Sequence, residues 1–337
     1  MKIFVVFLTL FMLLNPVYNV KVKPVNTDPY FKWTLDLYED IAVWHEIKEY
    51  EHGTVKKSDI VIYNLTTDRE EVIDRPGVKA APMIYGDNLV YFEQVDAIHG
   101  DVWLYNIKTK QEEMIKESIS NLYVDLYEDK LVYADNSRSD RFQIYLYNLT
   151  TGEERLIISD NIADCVKPVV YGDRIAYIKG KVTITLDVKE PQIVLYDLSA
   201  GKEKKIAQAL SPSDLSMHKD IIAWSEKSED GKYSVMYYNI KTGEKKRLPV
   251  DWAVLAEASV YDNTIIFTGA INETTGGLAG YDLSTGTYFP ISTANGGMVF
   301  PHIYKNRVVW IDWRNSPRPF QLPLIQPNEI WSAEIRR

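Results

Sequence analysis

The chain has 337 residues, 46% hydrophobic and 25% charged, which is enough to bury a large core. Its net charge is −9 and its pI about 5.2, and basic residues cluster only in short runs such as "GEKKR" at 243–247. Nucleic acid is excluded as a partner, because phosphate binding needs a concentrated positive face.

The first element is a targeting signal in outline. Lys2 precedes an uncharged run from Ile3 to Leu14, "IFVVFLTLFMLL". Such a run suits a secretory h-region and is short for a spanning helix, which needs about 20 residues. The flank "NPVYNV" lacks a small-x-small cleavage site, so segment 1–19 reads as a signal peptide or a signal anchor. No cysteine lies near residue 20, which argues against a lipid anchor. The expected location is secreted, periplasmic or cell-surface, with membrane contact only through this segment if it is uncleaved.

From residue 20 onward one phrase recurs seven times. The copies are YEDIAVW (38–44), YGDNLVY (85–91), YEDKLVY (127–133), YGDRIAY (171–177), HKDIIAW (218–224), YDNTIIF (261–267) and YKNRVVW (304–310). The anchors stand 42 to 47 residues apart, and every copy ends on an aromatic residue. A second phrase follows, as in DVWLYNIKTKQE (101–112) and QIYLYNLTTGEE (143–154). The 23 tyrosines and the lack of alanine-rich stretches favour strands. Each unit reads as four short antiparallel strands. Strand A runs into the anchor, strand B ends on the aromatic residue, strand C is the "IYLYNL" run, and a short strand D follows the "TTGE" turn. Four strands per unit of this length is the sequence form of a propeller blade, so residues 20–337 are expected to form one all-β, seven-bladed β-propeller. After the seventh copy only a strand C, NEIWSAEI (328–335), remains. The alternating segment VKVKPV (20–25) is therefore expected to supply the missing outer strand of blade seven and close the ring.

The strand and turn phrases "YGDNLVY…DVWLYNIKT" and "IYLYNLTTGEE", with "VVWIDWRN" (308–315) in the last blade, resemble TolB-type propeller repeats over residues 27–337. The resemblance implies a propeller scaffold of the kind common in exported and surface-associated proteins of archaea and bacteria. TolB itself carries an α/β domain ahead of its propeller, and the stretch between segment 1–19 and blade one is too short for one. TolB's envelope partners are therefore not carried over.

No G-x-S-x-G, H-E-x-x-H, P-loop or dinucleotide fingerprint is present. Cys165 is the only cysteine and reads as a buried structural residue. His45 and His52 fall in the charged stretch "HEIKEYEHGTVKKSD", which reads as a solvated loop, and His218 replaces an anchor tyrosine as a turn residue. Sequons at Asn64 and Asn148 belong to the turn phrase, and a third stands at Asn272.

Topology localises the candidate surface. The A–B and C–D turns are nearly uniform, whereas the B–C loops vary greatly in length, from 93–100 to 311–327. Variation gathered on one face is what a binding face on a rigid ring shows, and drift in tolerated loops is the alternative. Within strand A, residues two and four before the anchor are mixed in character and should approach the channel mouth. They include Asp36, Asp125 and His302, then Asp214 and Glu257. Carboxylates with His302 around a channel could bind a cation or a cationic group, and a hydrated channel without a specific ligand is the alternative. The residue types single out no metal, and no other cofactor is expected. On the loop face, Trp313, Arg314, Arg318 and Phe320 form a Trp, Arg and Phe set of the kind that anchors interfaces, unless the loop packs on its own blade.

The expected function is an exported, monomeric, non-enzymatic recognition or scaffold propeller. Its partner would be a protein or a cell-envelope polysaccharide, bound on the B–C loop face. The alternative is a polysaccharide lyase or glycoside-acting enzyme working at the channel mouth. A third reading is a membrane-tethered structural surface protein.

Overall fold

The computed structural model describes residues 17–96, 98–120, 123–183, 187–227, 231–250, 252, 254–316 and 326–336. Segment 1–19 therefore lies largely outside the described residues. Among them, no helix is long and apolar enough to cross a membrane.

The described residues form seven four-stranded antiparallel sheets. The inner strands A are Phe31–Tyr38, Lys79–Tyr85, Val124–Tyr127, Asp164–Tyr171, Ser216–His218, Val254–Tyr261 and Met298–Tyr304. Six blades take their strands in chain order. The seventh takes strands A, B and C from the C-terminal end and its outer strand from Asn19–Asn26, which pairs antiparallel with Glu329–Arg336. The protein is thus a seven-bladed propeller, closed by the N-terminal strand as the spacing predicts.

The core is divided into seven buried clusters, each shared by two neighbouring blades. The aromatic residue ending each repeated phrase sits there: Trp44, Tyr91, Tyr133, Tyr177, Trp224, Phe267 and Trp310 are all at most 1% exposed. Their polar atoms need partners in so dry a place. Tyr177 Oη donates to Glu203 at 2.7 Å, and Tyr91 and Tyr133 donate in the same way to Glu112 and Glu154. The glutamate that follows the C–D turn is therefore a satisfied partner for a buried phenol.

The repeated phrase has a backbone reason as well. In every blade the residue after the anchor is left-handed, with φ between +51° and +62°. The next residue's carbonyl then accepts a hydrogen bond of 2.7–2.9 Å, from the C–D turn in blades one to six (Leu65 N to Asp40 O through Leu283 N to Asn263 O) and from Ile335 N near the end of strand C in blade seven (to Asn306 O). The A–B turn of every blade and the C–D turn of the first six are thereby locked on one face, the turn face. The B–C and D–A connections lie on the other, the loop face.

Ring closure has a second lock that the sequence did not advertise. Lys32 is fully buried, and its Nζ donates to the carbonyls of Asp28 (2.7 Å), Tyr30 (3.2 Å) and Asn328 (3.0 Å). Asn328 in turn accepts from Lys32 N at 2.7 Å and donates to Lys32 O at 2.9 Å. A cation among three carbonyls thus ties the closing strand, blade one and the last strand C together. Burial lowers the Lys32 pKa, against the raising effect of Glu46 and Asp28.

One region departs from the expected loops. Residues 45–58 are not a solvated loop: strand B runs Ile41–Glu51 and strand C Thr54–Asn64, with a two-residue turn at His52 and Gly53. Both turn residues are left-handed (φ +49° and +83°), the twist a tight hairpin favours. His45 therefore lies within a strand and is buried. Cys165 is fully buried, and burial pushes its thiol up to about 12. At ordinary pH it is a packed side chain.

Candidate functional site

The seven inner strands surround a central cavity of about 720 Å³. Side chains alternate across a strand, so those at the anchor and at two and four positions before it share one face. They line the cavity in three levels, from the turn face to the loop face.

The turn-face level is the set of anchors. Tyr38, Tyr85, Tyr127, Tyr171, His218, Tyr261 and Tyr304 each contact both neighbours, with ring centroids 4.1–5.0 Å apart and planes tilted by 34–59°. They form a continuous aromatic collar that narrows this end of the cavity. Burial pushes the Tyr85 hydroxyl up to about 12 and the His218 imidazole down to about 4. His218 Nδ1 accepts a hydrogen bond from Asp262 N at 3.0 Å. His218 is therefore a collar member, not only the turn residue its position predicts.

The middle level staples blades together. Asp36 Oδ2 accepts from Ile84 N at 2.8 Å, Asp125 Oδ2 from Val170 N at 2.6 Å, Ser216 Oγ from Val260 N at 3.0 Å and Ser259 Oγ from Ile303 N at 3.4 Å. In each case a side chain two before its anchor satisfies a backbone N–H one before the next blade's anchor. His302 Nδ1 lies 3.1 Å from Asp36 Oδ1.

The loop-face level is Thr34, Ala81, Tyr123, Lys167, Asp214, Glu257 and Phe300, no two alike. Five inner strands shift register beside this position. Thr34, Ala81, Lys167 and Phe300 there have φ between +44° and +53°. A bulge in a left-handed conformation re-aims a side chain at some cost in strain, a combination common at functional sites. Lys167 Nζ lies 2.7 Å from Asp214 Oδ1 and 5.3 Å from the Tyr123 ring centroid. Glu257 accepts a hydrogen bond from Phe300 N. Trp33, 37% exposed, stands edge-on to Phe300 at 4.8 Å. Thr34 Oγ1 is 2.8 Å from Nδ1 of His45, whose imidazole burial pushes down to about 3.

Two carboxyls in this cavity are perturbed upward. Burial pushes Asp125 up to about 7, with Asp36 adding to the rise while backbone hydrogen bonds from Val170 and Leu126 oppose it. Burial likewise pushes Glu257 up to about 7, with Asp214 adding and the Phe300 hydrogen bond opposing. Among the described residues, no three His, Cys, Asp or Glu side chains converge closely enough to hold a metal ion.

The structure thus brings Asp36, Asp125, Asp214, Glu257 and His302 around one cavity. It treats the loop-face set differently. The Arg314 guanidinium stacks on Trp331 at 3.8 Å and bonds Asp312 Oδ2 at 2.6 Å and Ser292 Oγ at 2.9 Å, all within its own and the adjacent blade. Trp313 is partly buried, its backbone N–H bonded to Gly297 O at 3.0 Å. Arg318 and Phe320 lie outside the described residues. Sequence reasoning missed the aromatic collar, although the anchors share the parity of the lining positions. It also missed Trp33, Phe300 and the bulge, for which the prolines at 82, 168 and 301 were a signal: an inner strand accepts proline where ladder bonding is interrupted.

The sequence matches no family model and no curated protein. Among solved structures, the β-propeller domain of the trilobed protease from Pyrococcus furiosus gives a TM-score of 0.68 at 16% identity, over 92% of this chain and 96% of that one. That domain is described as having an open velcro topology. The acylaminoacyl peptidase of Pyrococcus horikoshii gives 0.65 at 14% identity over 85% of this chain, which spans about half (49%) of that protein. A protein assigned as TolB from Agrobacterium tumefaciens gives 0.52 at 14% identity, over 72% of this chain and 91% of that one. At these identities the likeness is one of fold.

Proposed function

We propose that the chain is an exported, non-enzymatic recognition propeller that binds a protein or cell-envelope polymer on its loop face, centred on the cavity mouth. One observation carries this reading. The same seven strands present a uniform aromatic collar at the turn face and seven different side chains, several on strained bulges, at the loop face. Exposed apolar residues cluster on the loop-face connections too: Val95 (60% exposed), Ile98 (68%) and Ile162 (81%). Export rests on the apolar run 3–14 and on the likeness to a TolB structure.

The test is a screen of envelope glycans and envelope proteins against residues 17–337, with Trp33→Ala and a trimmed 48–57 hairpin alongside. Binding should fall with both changes and survive the turn-face change Lys219→Ala. Binding that ignores both loop-face changes, or that is lost with Lys219→Ala, overturns the reading.

The raised carboxyls Asp125 and Glu257 favour a second reading, an enzyme acting on polysaccharide, because a carboxyl titrating near neutral can serve as a general acid. Turnover of a glycan by the parent and not by Glu257→Gln would replace the first reading with this one.

A further inference from the structure

We propose that the cavity seats an organic cation, a primary ammonium or guanidinium group delivered from the loop face, between Asp125 and Glu257. The proposal deepens the recognition reading and rests on it for the direction of entry.

Asp36 is paired with His302 and Asp214 with Lys167. Asp125 and Glu257 are different: both face the cavity, from blades three and six, and among the described residues each accepts hydrogen bonds from backbone N–H groups and closes no ion pair. Two deeply placed carboxyls face one cavity with His302, and for Glu257 also Lys167, acting only from beyond ion-pair distance, and such groups are costly to ionise unless a cation joins them directly. A ligand cation is the missing partner.

The rest of the cavity selects the kind of cation. A metal ion needs several donors on one short shell, and among the described residues no three suitable side chains supply it. An ammonium or guanidinium group needs only separated acceptors and tolerates a hydrated surround. The collar below offers tilted aromatic rings, which attract organic cations through their faces. Trp33 and Phe300 at the mouth suit the apolar stem that carries such a group. A volume of about 720 Å³ exceeds what one lysine or arginine side chain fills, leaving room for the segment that presents it.

Binding has a proton consequence. Asp125 faces Asp36 and His302, and Glu257 faces Asp214, Lys167 and His302. Seating a cation requires both carboxyls ionised, so protons leave as the ligand enters and affinity rises with pH through neutrality.

Calorimetry with butylammonium and butylguanidinium chlorides tests the proposal, with 1-pentanol as the uncharged control and calcium chloride as the metal arm. Acetyl-Gly-Gly-Lys-Gly-Gly-amide distinguishes a peptide-borne group from a free amine. An organic cation should bind about tenfold more tightly near pH 8 than near pH 6, releasing protons. Asp125→Asn and Glu257→Gln should each weaken it about tenfold while still melting cooperatively. If one variant does not fold, the other and the proton release still decide the matter. Butylammonium binding no better than pentanol, unchanged binding in a folded variant, or preferential calcium binding overturns the proposal. Partner capture on the loop face that persists in Asp125→Asn and Glu257→Gln, with no amine binding, would sink this proposal and leave the recognition reading standing. Amine binding without any loop-face partner would do the reverse.

Discussion

The two ends of the inner strands are built by opposite rules. At the turn face, seven blades repeat one solution: an aromatic anchor, a left-handed residue after it, and a backbone bond to the next turn. At the loop face, four residues away, five of the inner strands share a bulge and the side chains have nothing in common. Uniformity marks what the ring needs in order to close. Diversity held on a strained backbone marks what the ring is free to use, because strain persists only where surrounding structure holds it.

The closing strand spans both ends, so breaking it should give the largest effect. Removing 19–26 deletes the outer strand of blade seven and exposes the edge of Glu329–Arg336. Circular dichroism melts should show loss of cooperative folding or a fall well beyond 10 °C, since several buried contacts and a full ladder go at once. Lys32→Met is the finer probe. It leaves the carbonyls of Asp28, Tyr30 and Asn328 without their buried donor, at about 1–3 kcal/mol for each group left unmet. A loss of roughly 3–5 kcal/mol is expected from chemical denaturation. A near-neutral Lys32→Met would mean that strand pairing alone holds the ring.

Next comes the pH response, which separates the two ends by sign. At the loop end and the level below it, burial pushes Glu257 and Asp125 up to about 7 in the folded state, above their ordinary values of 4.5 and 3.8. The folded state therefore holds the extra protons: this stability is present at low pH and is lost as pH rises through about 7. His45 and His218 do the opposite, titrating near 3 and 4 against 6.5, so their stability is present above 6.5 and lost as pH falls. The two effects offset between roughly pH 4.5 and 6.5, leaving a nearly flat parent curve that dips between about 6.5 and 7 and levels off above it. The double variant Asp125→Asn, Glu257→Gln removes one side of the balance. Its stability should rise with pH across the acid range and exceed the parent's near pH 8. Each site should contribute roughly 2–3 kcal/mol, channel water holding it below the full linkage figure. A double variant no more stable than the parent near pH 8 would show that the carboxyls ionise without penalty.

How much of this was legible in the sequence follows the same division. The repeat period, the strand order and the closure by VKVKPV were readable because the ring states each requirement seven times, or leaves a visible gap at the seventh. The five lining residues were readable because strand parity survives from the anchor back to the bulge. Beyond it, alternation slips by one residue, which hid Trp33, while Phe300 keeps the parity of Glu257 and was passed over because an apolar residue there reads as core. His45 was misread because its strand continues past the core as a two-stranded ribbon, where polar residues on both sides erase the alternation that marks a strand. Lys32 was unreadable for another reason. Its partners are carbonyls from both ends of the chain, and a backbone acceptor leaves no signature in composition or spacing.

The smallest effect isolates the backbone at each end. Gly86 and Gly172 occupy the left-handed position after the anchor at φ +62° and +60°, and a Cβ built there would meet nothing within 4 Å. Gly172→Ala should therefore cost only the backbone term, about 1 kcal/mol. Glu128 occupies the equivalent place at φ +55°, so Glu128→Gly should gain roughly 0.5–1 kcal/mol by relieving it. Neither change should alter binding, because the turn face serves closure. Lys167 is also left-handed, at φ +53°, and Lys167→Gly relieves the same strain. That substitution also frees Asp214, Lys167's partner at 2.7 Å, to face the cavity as a third unpaired acid. Stability should change little, while affinity for butylammonium should rise by a few fold. If Glu128→Gly shifts binding as much as Lys167→Gly does, the division of labour between the two ends of the strand does not hold.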